Sequence, residues 1–475
     1  MRQNHRVASL QERPHASARS AAPAGRSEAS GGRAAQRERG RMRAVMDSMI
    51  LHLHPPRVPV RTLRFTYTWG LGGLSTFLLV LLIVTGILLE MRYTPSAPQA
   101  YLDVLRLESQ IPFGSFIRAL HHWAANLFLV TVGLHLLRVF LTGAYRPPRA
   151  LNWLVGLDLL LLVALANFTG YLLPWDQLAY WAITVGTGIL TYLPWVGDSL
   201  SRWLLGGAEV SGHTLLNFYT LHISVIPILL VALASYHFWR IRKDGGVTVP
   251  KKPGEVLTRI ERVTTVPYLV RCELVYALMW GALLMAWAMV HPAPLEGIAN
   301  PNLSPNPAKA PWYFAGLQEL LLHFHPLVAA IFLPGAGLTA LAALPWLDSN
   351  TESTGVAFRT RRGRDLGLIA VGLALLFTPA WVLADAYLLD WVAWFPAWPT
   401  WVSNGVLPLG VLTLGGLVMH RVLQQALGLR REESVLFWFL FFLTVFGVLT
   451  VIGVFFRGPN MALYWPWAMP ASPLH

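Results

Sequence analysis

Nine stretches of this 475-residue chain are long and apolar enough to cross a bilayer, at roughly 66–90, 115–141, 151–172, 215–240, 274–291, 326–347, 366–389, 405–425 and 435–456. A crossing helix needs about 17–25 predominantly apolar residues. The expected fold is therefore an all-α integral membrane protein with about nine transmembrane helices. Composition agrees: 55% of residues are hydrophobic and 13% charged. Pro227 falls inside the fourth stretch, which is tolerable where neighbouring helices rebond the freed carbonyl. The ninth stretch is apolar on all sides and reads as a lipid-facing helix.

Two of these helices carry paired histidines. His121 and His135 are 14 residues apart in the second, and His222 and His237 are 15 apart in the fourth. At about 100° per residue, 14 positions return to within roughly 40° of the starting face and 15 to within about 60°. The members of each pair are then about 21–22 Å apart along the helix axis. Ionisable side chains are costly in lipid and usually functional, and neutral imidazole is a standard axial ligand of haem iron. The spacing therefore predicts two bis-histidine haems, one near each face. His122 and His213 lie off these faces. The alternative for any single histidine is a polar group hydrogen-bonded inside a helix bundle.

A formal charge of +13 would suggest a nucleic-acid partner for a soluble chain, but the positions of the basic residues explain it without one. Of 37 Lys and Arg, all but Arg92, Arg106, Arg118, Arg202, Lys309 and Arg457 fall in segments on the N-terminal side of the nine spans. By the positive-inside rule that side is cytoplasmic. The C-terminus is then outside, as are the aromatic loops 174–205, 293–325 and 390–403. With alternate spans running in opposite directions, His121 and His222 share the outer level, and His135 and His237 the inner one. Residues 1–48, rich in Arg, Ala, Gly and Ser, read as a disordered basic tail, and Met42 or Met46 could be the true start. Cys272 is the single cysteine, so no intrachain disulfide and no C-x-x-C-H attachment for covalent haem is available.

A porphyrin between helices needs gaps in their side-chain cover. Gly72 and Gly86 on the first span, and Gly156 and Gly170 on the third, are again 14 apart. They are expected to clear the haems, with ordinary close helix packing as the alternative. Arg118, one turn before His121, and Arg138, one turn after His135, are expected to bind haem propionates, or else to act as interfacial anchors.

The stretch from Arg118 to His135, GYLLPWDQLAYW at 170–181 and NFYTLH at 217–222 together resemble cytochrome b of the cytochrome bc family. The likeness is to the photosynthetic branch in particular, in which a four-helix cytochrome and a smaller subunit are separate chains. The 15-residue histidine spacing and the WDQ at 175–177 are shared with that branch. The resemblance covers about residues 50–390, as though both pieces were fused. It implies a four-helix dihaem bundle over 49–245 and a quinol-site domain of three helices over 246–400; the two additional spans over 401–475 lie beyond it. It also implies quinol oxidation at an outward site formed by the loops after the third and fifth spans. One electron would go to a Rieske-type iron–sulfur partner and one to the outer haem, then through the inner haem to quinone. A c-type cytochrome or similar acceptor, a homodimeric complex and a bacterial-type inner membrane are further implications.

Two departures from the family pattern stand out. The family's Pro-Glu-Trp-Tyr motif falls on Ala310, Pro311, Trp312 and Tyr313, so Pro311 replaces the acidic residue. Glu319 is the nearest carboxylate and the candidate proton acceptor, with His323 and His325 close by; the alternative is that Glu319 caps or anchors a short helix. To face the quinol, Glu319 would need the chain to bend near Gly316. The photosynthetic branch also binds a further haem through a cysteine that here is Gly70, beside Trp69, so no covalent haem is expected. Arg242, Lys243 and Asp244 are candidates for an inner quinone site, or a solvated basic face. Two other functions fit the paired histidines: a dihaem membrane anchor of another respiratory oxidoreductase, and a haem-free transporter using histidines as proton relays.

Overall fold

A computed structural model describes residues 55–252, 254–348 and 354–470. The tail assigned to 1–48 and the alternative start codons lie outside the described residues. Among those described, nine helices are long and apolar enough to cross a membrane: Leu71–Glu90, Gly114–Leu141, Ala150–Tyr171, Gly212–Lys243, Thr265–Val290, Leu327–Leu347, Arg361–Tyr387, Val402–Leu427 and Arg431–Phe455. They are called the first to ninth spans below. Each matches an expected stretch. The fifth begins about nine residues early because hydropathy drops at Arg271 and Glu273 while the helix continues through them. The only strands among the described residues are Arg57–Pro59 and Arg262–Thr264, which pair antiparallel.

The first five spans share a core built around Leu74, Leu78, Ala124, Phe128, Val163 and Leu230. A second core joins the second and third spans to the sixth, seventh and ninth through Phe140, Trp153, Leu344, Ala370, Ala374 and Phe437. The expectation that the ninth span faces lipid is corrected here. Its bulky residues pack on small residues of the seventh span: a Cβ at Gly367 would lie 2.8 Å from Leu440 Cδ1. The eighth span is the least buried of the nine, with 6% of its apolar window buried against 28% for the ninth. Hydropathy does not separate the two cases, because lipid and a membrane-protein core are equally apolar.

One end of the bundle, labelled outer from the charge distribution, carries short helices over Gln99–Ser109, Gln177–Leu190, Gly197–Leu205 and Trp312–His323. The WDQ segment stitches two of these loops together. Asp176 caps the 177–190 helix by accepting from Ala179 N at 2.9 Å, and it also accepts from Glu296 N at 3.1 Å. Gln177 N donates to Gly297 O at 2.8 Å, and Gln177 Oε1 accepts from Asn300 N at 2.6 Å. At the opposite end, Asp348 is buried and accepts from Arg146, Arg359 and Tyr145.

Candidate functional site

The four histidines come together as two facing pairs. The His121 and His222 rings are 6.3 Å apart between centroids and inclined by 73°; the His135 and His237 rings are 6.4 Å apart, also at 73°. A metal–imidazole bond of about 2 Å, plus about 1.2 Å from nitrogen to ring centre, counted on both sides, gives about 6.4 Å. Both gaps thus fit one iron between two imidazoles and are too wide for a ring-to-ring hydrogen bond.

On the outer pair, Thr85 Oγ1 lies 2.9 Å from His121 Nδ1 and Thr169 Oγ1 lies 3.1 Å from His222 Nδ1. Each hydroxyl donates within its own helix, to Leu81 O at 2.8 Å and to Leu165 O at 2.9 Å. It can then only accept from the imidazole, which puts the proton on Nδ1 and the free lone pair on Nε2, the arrangement an axial ligand needs. Sequence reasoning missed both threonines. The signal was present: each immediately precedes a glycine of the 14-residue repeat, as Thr85-Gly86 and Thr169-Gly170.

Each glycine of that repeat faces one ligand ring. A Cβ at Gly86 would lie 3.4 Å from His121 Cε1, at Gly72 3.5 Å from His135 Cε1, and at Gly156 3.7 Å from His237 Cε1. At Gly170 it would lie 2.6 Å from His222 Cε1. What these glycines clear in this structure is the imidazoles.

The 15-residue spacing of the fourth span has a local cause. Leu221–Val225 is a π-helical turn, closed by Ile226 N donating to Leu221 O, and it contains His222. A π-turn absorbs one extra residue, so 15 positions act as 14. Pro227, which has no N–H to donate, follows directly.

The two arginines differ. Arg138 donates from Nε to Tyr67 O at 3.1 Å and lies over the Tyr67 ring, while its Nη2 is buried without a hydrogen-bond partner. An unmet buried donor beside His135 suits an anionic propionate. Arg118, by contrast, is bonded to Glu108, to Ala293 O at 3.0 Å and to Pro294 O at 2.6 Å. The propionate expectation for Arg118 is corrected: its guanidinium ties the second span to loops remote in sequence.

The helix Trp312–His323 begins directly after Pro311, with Pro311 in extended conformation. Trp312 Nε1 donates to Asn126 Oδ1 on the second span at 2.7 Å. Phe314 meets Phe168 of the third span edge-on at 5.6 Å, and Tyr313 packs on the core of the first five spans. Burial pushes the Tyr313 hydroxyl up from its ordinary range, with Tyr171 adding to the effect, so the phenol stays protonated. The P-W-Y turn thus sits at the outer end of the bundle beside the His121–His222 level.

Glu319 does not fulfil the role its position suggested. The helix runs unbroken through Gly316, so Glu319 stays about 240° around from Tyr313. Its carboxylate is fully buried and bonded by Arg457 Nε at 3.0 Å and His323 Nε2 at 3.2 Å. Burial would raise its pKa, but the bonds from His323 and Arg457 outweigh that and hold it below the usual carboxylate range. A carboxylate so held is a poor base for a quinol proton. His323 Nδ1 in turn bonds Asp385 Oδ2 at 2.6 Å. His325 lies against Tyr192 at 5.4 Å, where the sixth span begins.

On the inner side Asp244 is bonded by Arg240 at 2.7 Å and Lys243 lies over Trp239, so two of the three basic-loop candidates have partners within their own helix end. Arg242 is also engaged. A side chain at Gly70 would meet the Tyr276 ring at 2.6 Å, so that position is packed against the fifth span.

Comparison with known proteins gives a consistent result. The family description "Cytochrome b/b6/petB" matches residues 59–245. Cytochrome b6 of Heliobacterium mobile is 42% identical over 192 residues, covering 40% of this chain and 88% of that protein. The menaquinol:cytochrome c reductase cytochrome b subunit of Geobacillus thermodenitrificans is 39% identical over 180 residues, covering 38% of this chain and 80% of that one. A solved structure, "Hyperthermophilic respiratory Complex III", covers 81% of this chain and 91% of its own, with TM-score 0.58 and 23% identity. That last likeness speaks to the fold alone.

Proposed function

The chain belongs to the cytochrome b/b6 family, and from that premise we propose that it is the cytochrome b subunit of a membrane quinol:cytochrome c, or similar acceptor, oxidoreductase. As a family member it is a multi-pass membrane protein that binds b-type haem. The proposed number is two non-covalent haems, the outer held by His121 and His222 and the inner by His135 and His237. The observation that carries this is the pair of centroid separations, 6.3 and 6.4 Å, at equal inclination. Haem, when bound, supplies a one-electron carrier at each membrane level.

This chain's own residues do the rest. Thr85 and Thr169 fix the outer imidazoles' tautomer, and Gly72, Gly86, Gly156 and Gly170 leave room for the rings. Arg138 offers its unmet donor to the inner haem's edge. Pro311, Trp312 and Tyr313 form one wall of an outer quinol cleft, and the Asp176–Gln177 bonds to 296–300 hold the facing loop. Oxidation of one quinol gives one quinone, two protons and two electrons, the electrons being taken one by the iron–sulfur partner and one by the outer haem. With the N-terminus cytoplasmic and the C-terminus outside, those protons leave on the outer side. A Rieske-type iron–sulfur protein and a c-type cytochrome are the proposed partners, in a homodimeric complex of a bacterial-type inner membrane. Within the chain, the four-helix unit over 49–245 carries the haems, and 246–400 carries the quinol site.

Difference spectra of histidine variants test the assignment. His121→Ala and His222→Ala should each remove one b-type spectral component, and His135→Ala and His237→Ala the other. Loss of the same component from His121→Ala and His237→Ala, or a haem that survives acid–acetone extraction, would overturn it.

A further inference from the structure

The Trp312–His323 helix is held on its far side by a buried chain of four ionisable groups that quinol chemistry at the P-W-Y turn does not use. Arg457, just past the ninth span, grips both oxygens of Glu319 through Nε at 3.1 and 3.0 Å and bonds Oε1 through Nη2 at 2.5 Å. Glu319 Oε1 bonds His323 Nε2 at 3.2 Å, and His323 Nδ1 bonds Asp385 of the seventh span at 2.6 Å. Trp391 Nε1 closes the chain on Asp385 Oδ1 at 3.2 Å. The four side chains are between 0% and 10% exposed.

The surrounding contact is close. A Cβ at Gly316 would lie 2.6 Å from Thr450 Oγ1 and 3.1 Å from Phe446 O, and one at Gly453 2.8 Å from Ala315 O, so the two helices approach closely at small residues. Such packing holds the helices close and restrains, without a directional bond, how far one slides along the other. A planar guanidinium on a carboxylate does fix it, because the paired bonds exist at one register only. Buried ion pairs are seldom more stabilising than apolar residues of similar volume, so stability alone is a weak reason for this chain of charges. Lys309 Nζ, donating to Val454 O at 2.9 Å, adds a second tie just before the P-W-Y turn.

We infer that the ninth span is a working part of the outer site: Arg457, through Glu319, is a positioning residue that sets the register of the P-W-Y helix against the bundle and so the width of the quinol cleft. The inference rests on the functional reading above. It gives a role to a span outside the matched family region, and it explains why Glu319 is bonded away from the cleft.

The test uses the full chain in its native complex, with short-chain benzoquinol and naphthoquinol as probes and rates normalised to haem. Arg457→Met should raise the quinol KM at least fivefold, with both haems bound and fully reducible by dithionite. Arg457→Lys, which keeps charge but not the planar fork, should fall between. Arg457→Met with Glu319→Gln removes the stranded charge, and KM should stay raised. A wild-type KM in both the single and the double variant overturns the inference, whatever happens to kcat. Failure of every variant to assemble overturns it too, by assigning the clamp to folding. Absence of quinol-driven haem reduction in the wild type would instead refute the functional reading.

Discussion

Replacing Gly170 by Ala should release the outer haem, while the same change at Gly86, Gly72 or Gly156 should not. The four positions occupy equivalent places in two 14-residue repeats, yet the space they offer differs. An added Cβ would approach the facing imidazole carbon to 3.4, 3.5 and 3.7 Å at Gly86, Gly72 and Gly156, but to 2.6 Å at Gly170. Carbon atoms rest at about 3.5–4.0 Å, so the first three substitutions meet ordinary contact. At Gly170 the His222 ring must retreat by about 0.9 Å or more to reach that spacing. The retreat works against both of its attachments. Thr169 holds Nδ1 at 3.1 Å on one side, and the opposite ring nitrogen must keep a metal bond of about 2 Å. Overpacking typically costs about 1–3 kcal/mol, and if that falls on haem binding, retention weakens by roughly 5- to 160-fold. Pyridine haemochrome analysis with low-temperature difference spectra would show one haem per chain in Gly170→Ala and two in the other three variants. Full outer-haem content in Gly170→Ala, or equal loss in all four, would refute the steric argument.

Two further outcomes follow from buried charge. Burial pushes the His323 pKa down, but the bonds from Asp385 and Glu319 outweigh it and hold it above its ordinary value, with Arg457 facing the same cluster through Glu319. A raised folded-state pKa gives stability that is complete below about pH 6.5 and lost as pH rises through the raised value. Thermal unfolding of the purified complex should therefore show a stability decline on the alkaline side that His323→Gln removes; an identical slope in the variant would refute the assignment. At the inner end, Asp348→Ala takes away the carboxylate that Arg146, Arg359 and Tyr145 share, and should destabilise by about 3–5 kcal/mol. A loss below about 1 kcal/mol by denaturant titration would contradict the buried-pair reading.

The facing of the four histidines in two pairs was legible in the sequence because it is periodic. Matched histidines and glycines at intervals of 14 could be laid on helix faces without knowing any long-range contact. Even the irregular interval had a visible cause, since Pro227 marks where the fourth span leaves regular α-geometry and the π-turn at Leu221–Val225 takes up the extra residue. Spans could be counted for the same reason. Which of them face lipid could not, because the burial of Phe437 on Ala370 and Ala374 leaves no trace in hydropathy. The roles given to Arg118 and Glu319 failed for a different reason. Besides nearby Glu108 and His323, their partners are distant: Arg118 is bonded to carbonyls at 293 and 294, and Glu319 to an arginine 138 residues away. No helical spacing reports a contact of that kind.

Charge asymmetry nevertheless held the missing clue. Topology signals require basic residues on the inner side, so a basic residue on the outer side opposes the orienting bias and calls for a separate reason. Six are found there, and four have one. Arg106 is bonded to Asp103, Arg118 to Glu108, Lys309 to the Val454 carbonyl and Arg457 to Glu319. Two of these four, Lys309 and Arg457, join the P-W-Y segment to the ninth span. Arg118 joins the second span to the loop after the fifth. Half of the cations that break the positive-inside pattern are thus ones that fasten the outer site. An exception to the rule such as Arg457 is thereby marked in the sequence itself as a residue that needs a bonded partner.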